Sequence, residues 1–131
     1  MEGEKDILEA NAAFYRAFRD RDIALMDDVW AEEHDVVCIH PGWQALCGRE
    51  AILSSFERIM KGPSPPEIEC VDPMVFRCDA SAVVVCSERV KDSVLVATNI
   101  FVREGEAWVM VHHHAGQGQG FILTRRGQTL H

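Results

Sequence analysis

Near residue 67 the hydrophobic period of this sequence changes from helical to strand-like. From about Asp6 to Asp20, the residues Ile7, Leu8, Asn11, Phe14, Tyr15 and Phe18 recur at three-and-four spacing. That spacing predicts an amphipathic helix whose apolar stripe is interrupted by Asn11. Asp22 is placed to cap a second, shorter helix with Ile23, Met26, Val29 and Trp30 on its inner side. Val36 to Ile39 reads as a short strand broken at Pro41-Gly42, and Arg49 to Lys61 as a third helix stopped by Gly62-Pro63. Its inner face carries Ile52, Ser55, Phe56, Ile59 and Met60, and Pro63, Pro65 and Pro66 stiffen the connector that follows. Four strands come next: Glu67 to Cys78, Ala82 to Val90, Val94 to Arg103 and Ala107 to Ala115. Short turns make them antiparallel neighbours, and Pro73 marks a bulge or a sheet edge.

Helices first and a strand meander after them cannot wind a parallel sheet, which alternates the two element types. The order predicts an α+β domain: a cone-shaped, curved antiparallel sheet wrapped around three N-terminal helices, with the interior as the natural pocket. With 131 residues the chain is expected to form one domain over 1–116, followed by a loosely ordered tail over 117–131. Thirteen basic against twenty-one acidic residues give a net charge of −8, which argues against nucleic acid and offers an anionic membrane nothing to attract. No apolar run approaches the length of a membrane span, and the acidic start, Glu2-Gly3-Glu4, is unlike a signal peptide. Five cysteines, an odd number without a C-x-x-C pair, fit a reduced, cytoplasmic protein. The acidic residues from Asp20 to Asp35 read as a solvated face, their order matching no calcium loop. Arg49 is oddly placed at a helix start, where its charge opposes the dipole, and pairing with those acidic residues accounts for it. Phosphate-binding loops and G-x-S-x-G elbows are missing, so nucleotide and serine-nucleophile chemistry find no support.

Several strings, in this order and spacing, carry a resemblance. They are Ala17-Phe18-Arg19-Asp20-Arg21-Asp22, Ile39-His40-Pro41-Gly42, Gly48-Arg49-Glu50-Ala51-Ile52 and Trp108-Val109-Met110-Val111-His112-His113-His114-Ala115. The chain resembles the nuclear transport factor two-like superfamily, specifically its SnoaL-like and ketosteroid-isomerase-like bacterial members. That superfamily holds isomerases, cyclases, hydrolases, dehydratases and plain binding proteins, so the resemblance implies the fold and not a reaction. Ketosteroid isomerases use an Asp base with a Tyr and a protonated Asp. The resemblance puts the base position on His40, the protonated-Asp position on Asn99, and the tyrosine position on Phe14, with Tyr15 one residue away. Steroid isomerisation itself is therefore not expected. A homodimer packed through the convex face of the sheet is also implied.

His40 sits where a strand meets a proline loop, and imidazole titrates near neutral pH, as an acid/base group must. Asn99 lies mid-strand, where its amide either donates to a developing oxyanion or bonds a neighbouring strand. Strict alternation puts His112 and His114 on one face with Met110 and leaves His113 on the other, satisfying sheet-end or interface hydrogen bonds. Convergence of His40, Asn99, His112 and His114 at one end of the cone follows if Asn99 shares the first face. The reading is a cofactor-free, metal-free enzyme acting on a small apolar carbonyl or hydroxyl compound. His40 or His114 is the acid/base and Asn99 the donor, with Phe14, Tyr15, Trp43, Phe56, Met110 and His112 lining the substrate. A non-catalytic binding or dimerisation module is the alternative, and zinc or iron on His112 and His114 a third.

Overall fold

A computed structural model describes residues 3–118. Three helices lead: α1 (Glu4–Arg19), α2 (Ile23–Val29) and α3 (Arg49–Met60). The strands are β1 (Val37–Ile39), β2 (Leu46–Cys47), β3 (Glu69–Cys78), β4 (Ser81–Val90), β5 (Ser93–Glu104) and β6 (Ala107–Gln117). Most of the expected tail lies outside the described residues, while Gln117 is still in β6. Among the described residues no helix is long and apolar enough to cross a membrane.

The six strands form one sheet in the order β2-β1-β6-β5-β4-β3. Each link of the meander is a two-residue turn, with Asp79, Lys91 and Gly105 supplying the positive φ that such turns require. The sheet is not wholly antiparallel, because β1 runs parallel to β6, pairing Val37 with His112 and Ile39 with His114. The chain reaches that position only after α3 and the whole meander intervene, and a parallel neighbour needs such a long crossover. β2 is two residues long, too short to show a period. Pro73 meets both expectations: β3 is an edge strand, and its register shifts between Val71 and Met74.

The core lies between the helices and one face of the sheet. Ile7, Phe14, Phe18, Ile52, Phe56 and Met60 come from the helices, and Val75, Val84, Phe101 and Met110 answer from the strands. Asp22 caps α2 by accepting from the Leu25 N–H. Arg49 does pair with Asp27, but it also donates to the carbonyls of Asp27, Trp30 and Ala31. Its guanidinium thus covers the open carbonyl end of α2, where a positive charge is favoured.

Candidate functional site

Strand β5 brings Ala97, Asn99 and Phe101 to the helix-facing side, all fully buried. Across from them on β6 stand Ala115, His113 and Met110. Ile100 pairs with His112 and Phe101 with Met110, so Val111 has no partner and forms a bulge. One extra residue reverses which side chains face inward. Met110 and His113 therefore share the interior, while His112 and His114 look out from the opposite face. The expected convergence of His112 and His114 with Asn99 does not occur. His113, read from the sequence as a sheet-end residue, is the histidine of the run that enters the core. The outward pair have ring centroids 6.4 Å apart. Among the described residues no group of three His, Cys, Asp or Glu side chains is arranged to hold a metal.

Asn99 is the hub of the interior. Its amide nitrogen donates to Asn11 Oδ1 at 2.9 Å and to the Tyr15 hydroxyl oxygen at 3.2 Å. Its Oδ1 lies 2.6 Å from His113 Nδ1, and because a carbonyl oxygen only accepts, that nitrogen carries the proton. Tyr15 donates to Glu88 Oε2 at 2.7 Å, which leaves Cys86, 3.2 Å away, to donate its S–H to the tyrosine oxygen. Asn11 also donates to Cys70 Sγ at 3.6 Å. Two helix residues and residues from five strands (β1 through Cys38 beside His113, β3 through Cys70, and β4, β5 and β6) thus enclose a polar layer inside an apolar shell.

Burial sets the charge state of this layer. Desolvation drives the His113 pKa down to about 3, helped by the nearby imidazoles of His40, His112 and His114, so the ring is neutral at pH 7. Burial likewise raises the Glu88 carboxyl against the opposing hydrogen bond from Tyr15, and lifts the Tyr15 phenol well above 10.0. Cys38, buried under the same layer, is pushed up to about 12.

His40 follows β1 and is also buried. Its Nε2 lies 2.8 Å from Ser55 Oγ, on α3, and Ser55 donates its single proton to the Ile52 carbonyl at 2.7 Å. Ser55 must therefore accept from His40, so Nε2 carries the proton and Nδ1 the lone pair. No hydrogen bond among the described residues engages Nδ1. Desolvation lowers the His40 pKa. Phe56 packs edge-on against the ring at 4.8 Å, and Trp43, 43% exposed, does so at 4.7 Å from the solvent side. Phe14 joins the two halves of the site, lying 5.6 Å from Phe56 and 4.7 Å from His113.

Of the residues expected at the site, His40, Asn99, Phe14, Tyr15, Phe56 and Met110 lie on the interior side, and Trp43 stands at its solvent edge against His40. Asn11, Ser55, Glu88 and His113 complete it and were not among them. A signal existed for Glu88: the alternation Ala82, Val84, Cys86, Glu88 sets a carboxylate on an apolar face. Two cavities, of about 490 Å³ beside Trp108 and about 1090 Å³ beside the Pro63–Pro66 connector, lie elsewhere and are lined by none of these residues.

An α+β cone enclosing a polar interior is the architecture of NTF2-like proteins, and the likenesses agree. The SnoaL-like domain model matches residues 7–117, and the chain belongs to that family. A proposed dehydratase of the NTF2-like family from Streptomyces avermitilis is similar at 29% identity and TM-score 0.79, over 88% of this chain and 96% of that one. So is a protein from Thiobacillus denitrificans, proposed to be a calcium/calmodulin-dependent protein kinase type II association domain. It shows 29% identity and TM-score 0.73, over 84% of this chain and 93% of that one. An NTF2-like protein of unknown function from Pseudomonas putida, 21% identical with TM-score 0.74 over 98% and 93% of the two chains, shares the fold. Among curated proteins, F-box protein SKIP8 of Arabidopsis thaliana is 23% identical over 111 residues, 83% of this chain. The match spans about half, 48%, of that relative's length.

Proposed function

We propose that this protein is an acid–base enzyme for a small, largely apolar molecule carrying a carbonyl or hydroxyl group, with His40 moving the proton. The observation that carries this reading is the tautomer of His40. Ser55 takes the Nε2 proton, so a neutral imidazole offers the Nδ1 lone pair at pH 7, which is the state a general base needs. Trp43 stands between that ring and solvent, and Phe14 and Phe56 supply apolar walls. Asn99 is a positioning residue in this scheme, because both its N–H donors are already spent on Asn11 and Tyr15. His112 and His114 have no role in it, and it calls for no cofactor. The Streptomyces relative named as a proposed dehydratase supports proton-transfer chemistry as the direction to test.

Hydrogen–deuterium exchange at the carbon next to the carbonyl of small apolar ketones needs a positioned base and nothing more. Wild type in D2O is expected to accelerate it, and His40→Gln to lose at least about 100-fold of that rate with its melting temperature kept. An equal rate in the variant overturns the assignment.

A second reading, an assembly module, is favoured by one observation. The outward face of β4 and β5 carries Val83, Val85, Val96, Ile100 and Val102 as a half-buried apolar patch. The Thiobacillus relative is named as a proposed association domain. We place a homodimer contact on this face, compatible with either reading. Light scattering at micromolar concentration is expected to give the mass of a dimer for wild type and of a monomer for Ile100→Glu. A monomeric wild type removes the contact.

A further inference from the structure

Among the described residues four that are not glycine have a positive φ: Arg21, Asp72, Asp79 and Lys91. Aspartate tolerates that conformation, because its short side chain can bond the local backbone. A long cation gains no such bond. Arg21 ends α1 at φ 54, its N–H donating to the Phe18 carbonyl and the Asp22 N–H to that of Ala17. Glycine is the usual residue in this helix ending. Lys91, also at φ 54, makes the turn from β4 to β5, where glycine or asparagine is usual. Both positions thus hold a strained cation where glycine fits freely, and both cations line the same cavity.

That cavity, of about 1090 Å³, has apolar walls from Phe18, Pro65, Ile68 and Val90. Two further cations in its lining are already neutralised: Arg19 pairs with Asp20 at 2.9 Å and Arg89 with Glu69 at 2.7 Å. Among the described residues no ion pair engages Arg21 or Lys91. Glu67 is the remaining charge of the lining, so one positive charge is left over in a chain whose net charge is −8.

We propose that this cavity binds a small amphipathic carboxylate, its apolar body against Phe18, Pro65 and Ile68 and its charge towards Arg21 and Lys91. Both cations are exposed, and an exposed ion pair by itself contributes little. Affinity therefore comes from burying the apolar body, while the cations decide that the body carries an acid. A bare inorganic anion has nothing to set against those walls. The volume is at the upper end of the roughly 300–1000 Å³ that small-molecule sites occupy. None of the residues around His40 and Asn99 lines this cavity, so the proposal stands apart from the acid–base reading.

The test is calorimetric titration of the full chain with hexanoate, octanoate and 2-naphthoate, each beside its neutral primary amide. Acetate and inorganic phosphate are the bare anions. At least one of the three acids is expected to bind saturably, its amide at least about threefold more weakly, and the bare anions not at all. Added NaCl is expected to weaken the acid and leave the amide unchanged. Amide-proton NMR is expected to place the shifts at Arg21, Ile68 and Lys91. Arg21→Gly and Lys91→Gly each relieve a positive φ, so their melting temperatures are expected to stay level or rise. Each is expected to bind about threefold more weakly and the double variant about tenfold, while Glu67→Gln binds more tightly. The proposal falls if no acid binds, if the amides or the bare anions bind as well, or if the double variant binds like wild type. It falls equally if the shifts gather at His40 and His113 instead. A lower melting temperature in both glycine variants overturns it too, because the two cations are then held for the fold.

Discussion

Asn99→Leu is expected to destabilise the protein by about 4 kcal/mol, although the replacement is close in volume and lies in an apolar shell. The cost comes from what stays behind. His113 Nδ1–H loses its acceptor and Asn11 Oδ1 loses its donor, both in a region closed to water. Each such orphan costs about 1–3 kcal/mol. Tyr15 suffers less, because Glu88 and Cys86 still satisfy it. The non-additivity of neighbouring sites sharpens the test. Asn11→Leu combined with Asn99→Leu removes both ends of one hydrogen bond and is expected to cost less than the two single changes together. Urea unfolding of the four proteins measures this. A loss below about 1 kcal/mol for Asn99→Leu, or strict additivity, contradicts a hub at Asn99.

Acid is expected to destabilise the fold through His113. Its folded pKa, about 3, lies below the ordinary value of 6.5, so the unfolded chain binds the extra proton first. The stability this histidine contributes is complete above pH 6.5 and is lost as pH falls from there towards 3. At 1.36 kcal/mol per unit of pKa difference, about 3 kcal/mol is gone by pH 4. His40, also depressed by burial, acts in the same direction. Glu88 opposes them: its pKa is raised, so its contribution is complete below 4.5 and declines as pH rises through the folded value. Glu88→Gln removes that opposition and is expected to steepen the acid loss between pH 6.5 and 4.5. His113→Leu is expected to flatten the profile. Denaturant titrations at pH 7.5, 5.5 and 4 give the slopes, and parallel profiles for wild type and His113→Leu leave the buried neutral imidazole without support.

Both predictions depend on a residue that alternation along the strand assigned to the wrong face. The period-two rule holds only while the register is continuous. Val111 breaks it, and nothing in Trp108-Val109-Met110-Val111-His112 marks that position, because a bulge is a mismatch between two strands and the mismatch is decided by β5. The parallel pairing of β1 with β6 was out of reach for a similar reason, since its partners are 75 positions apart in the chain.

The sequence by itself determined the class of fold, the three helices, the four long strands and their hairpin turns. These follow from local period, caps and turn residues, each read within a few neighbours. It also marked His40, Asn99, Phe14, Tyr15 and Phe56 as belonging to one interior. Only the tertiary structure decided which histidine of the run enters that interior, and that Asn99 spends its donors on Asn11 and Tyr15. It alone set the Ser55 hydroxyl that orients His40 and the carboxyl of Glu88 beside His113. Those choices rest on register, on a bulge and on hydrogen bonds between residues 14 to 88 positions apart. Contacts at such separations are made by packing and leave no local period to read.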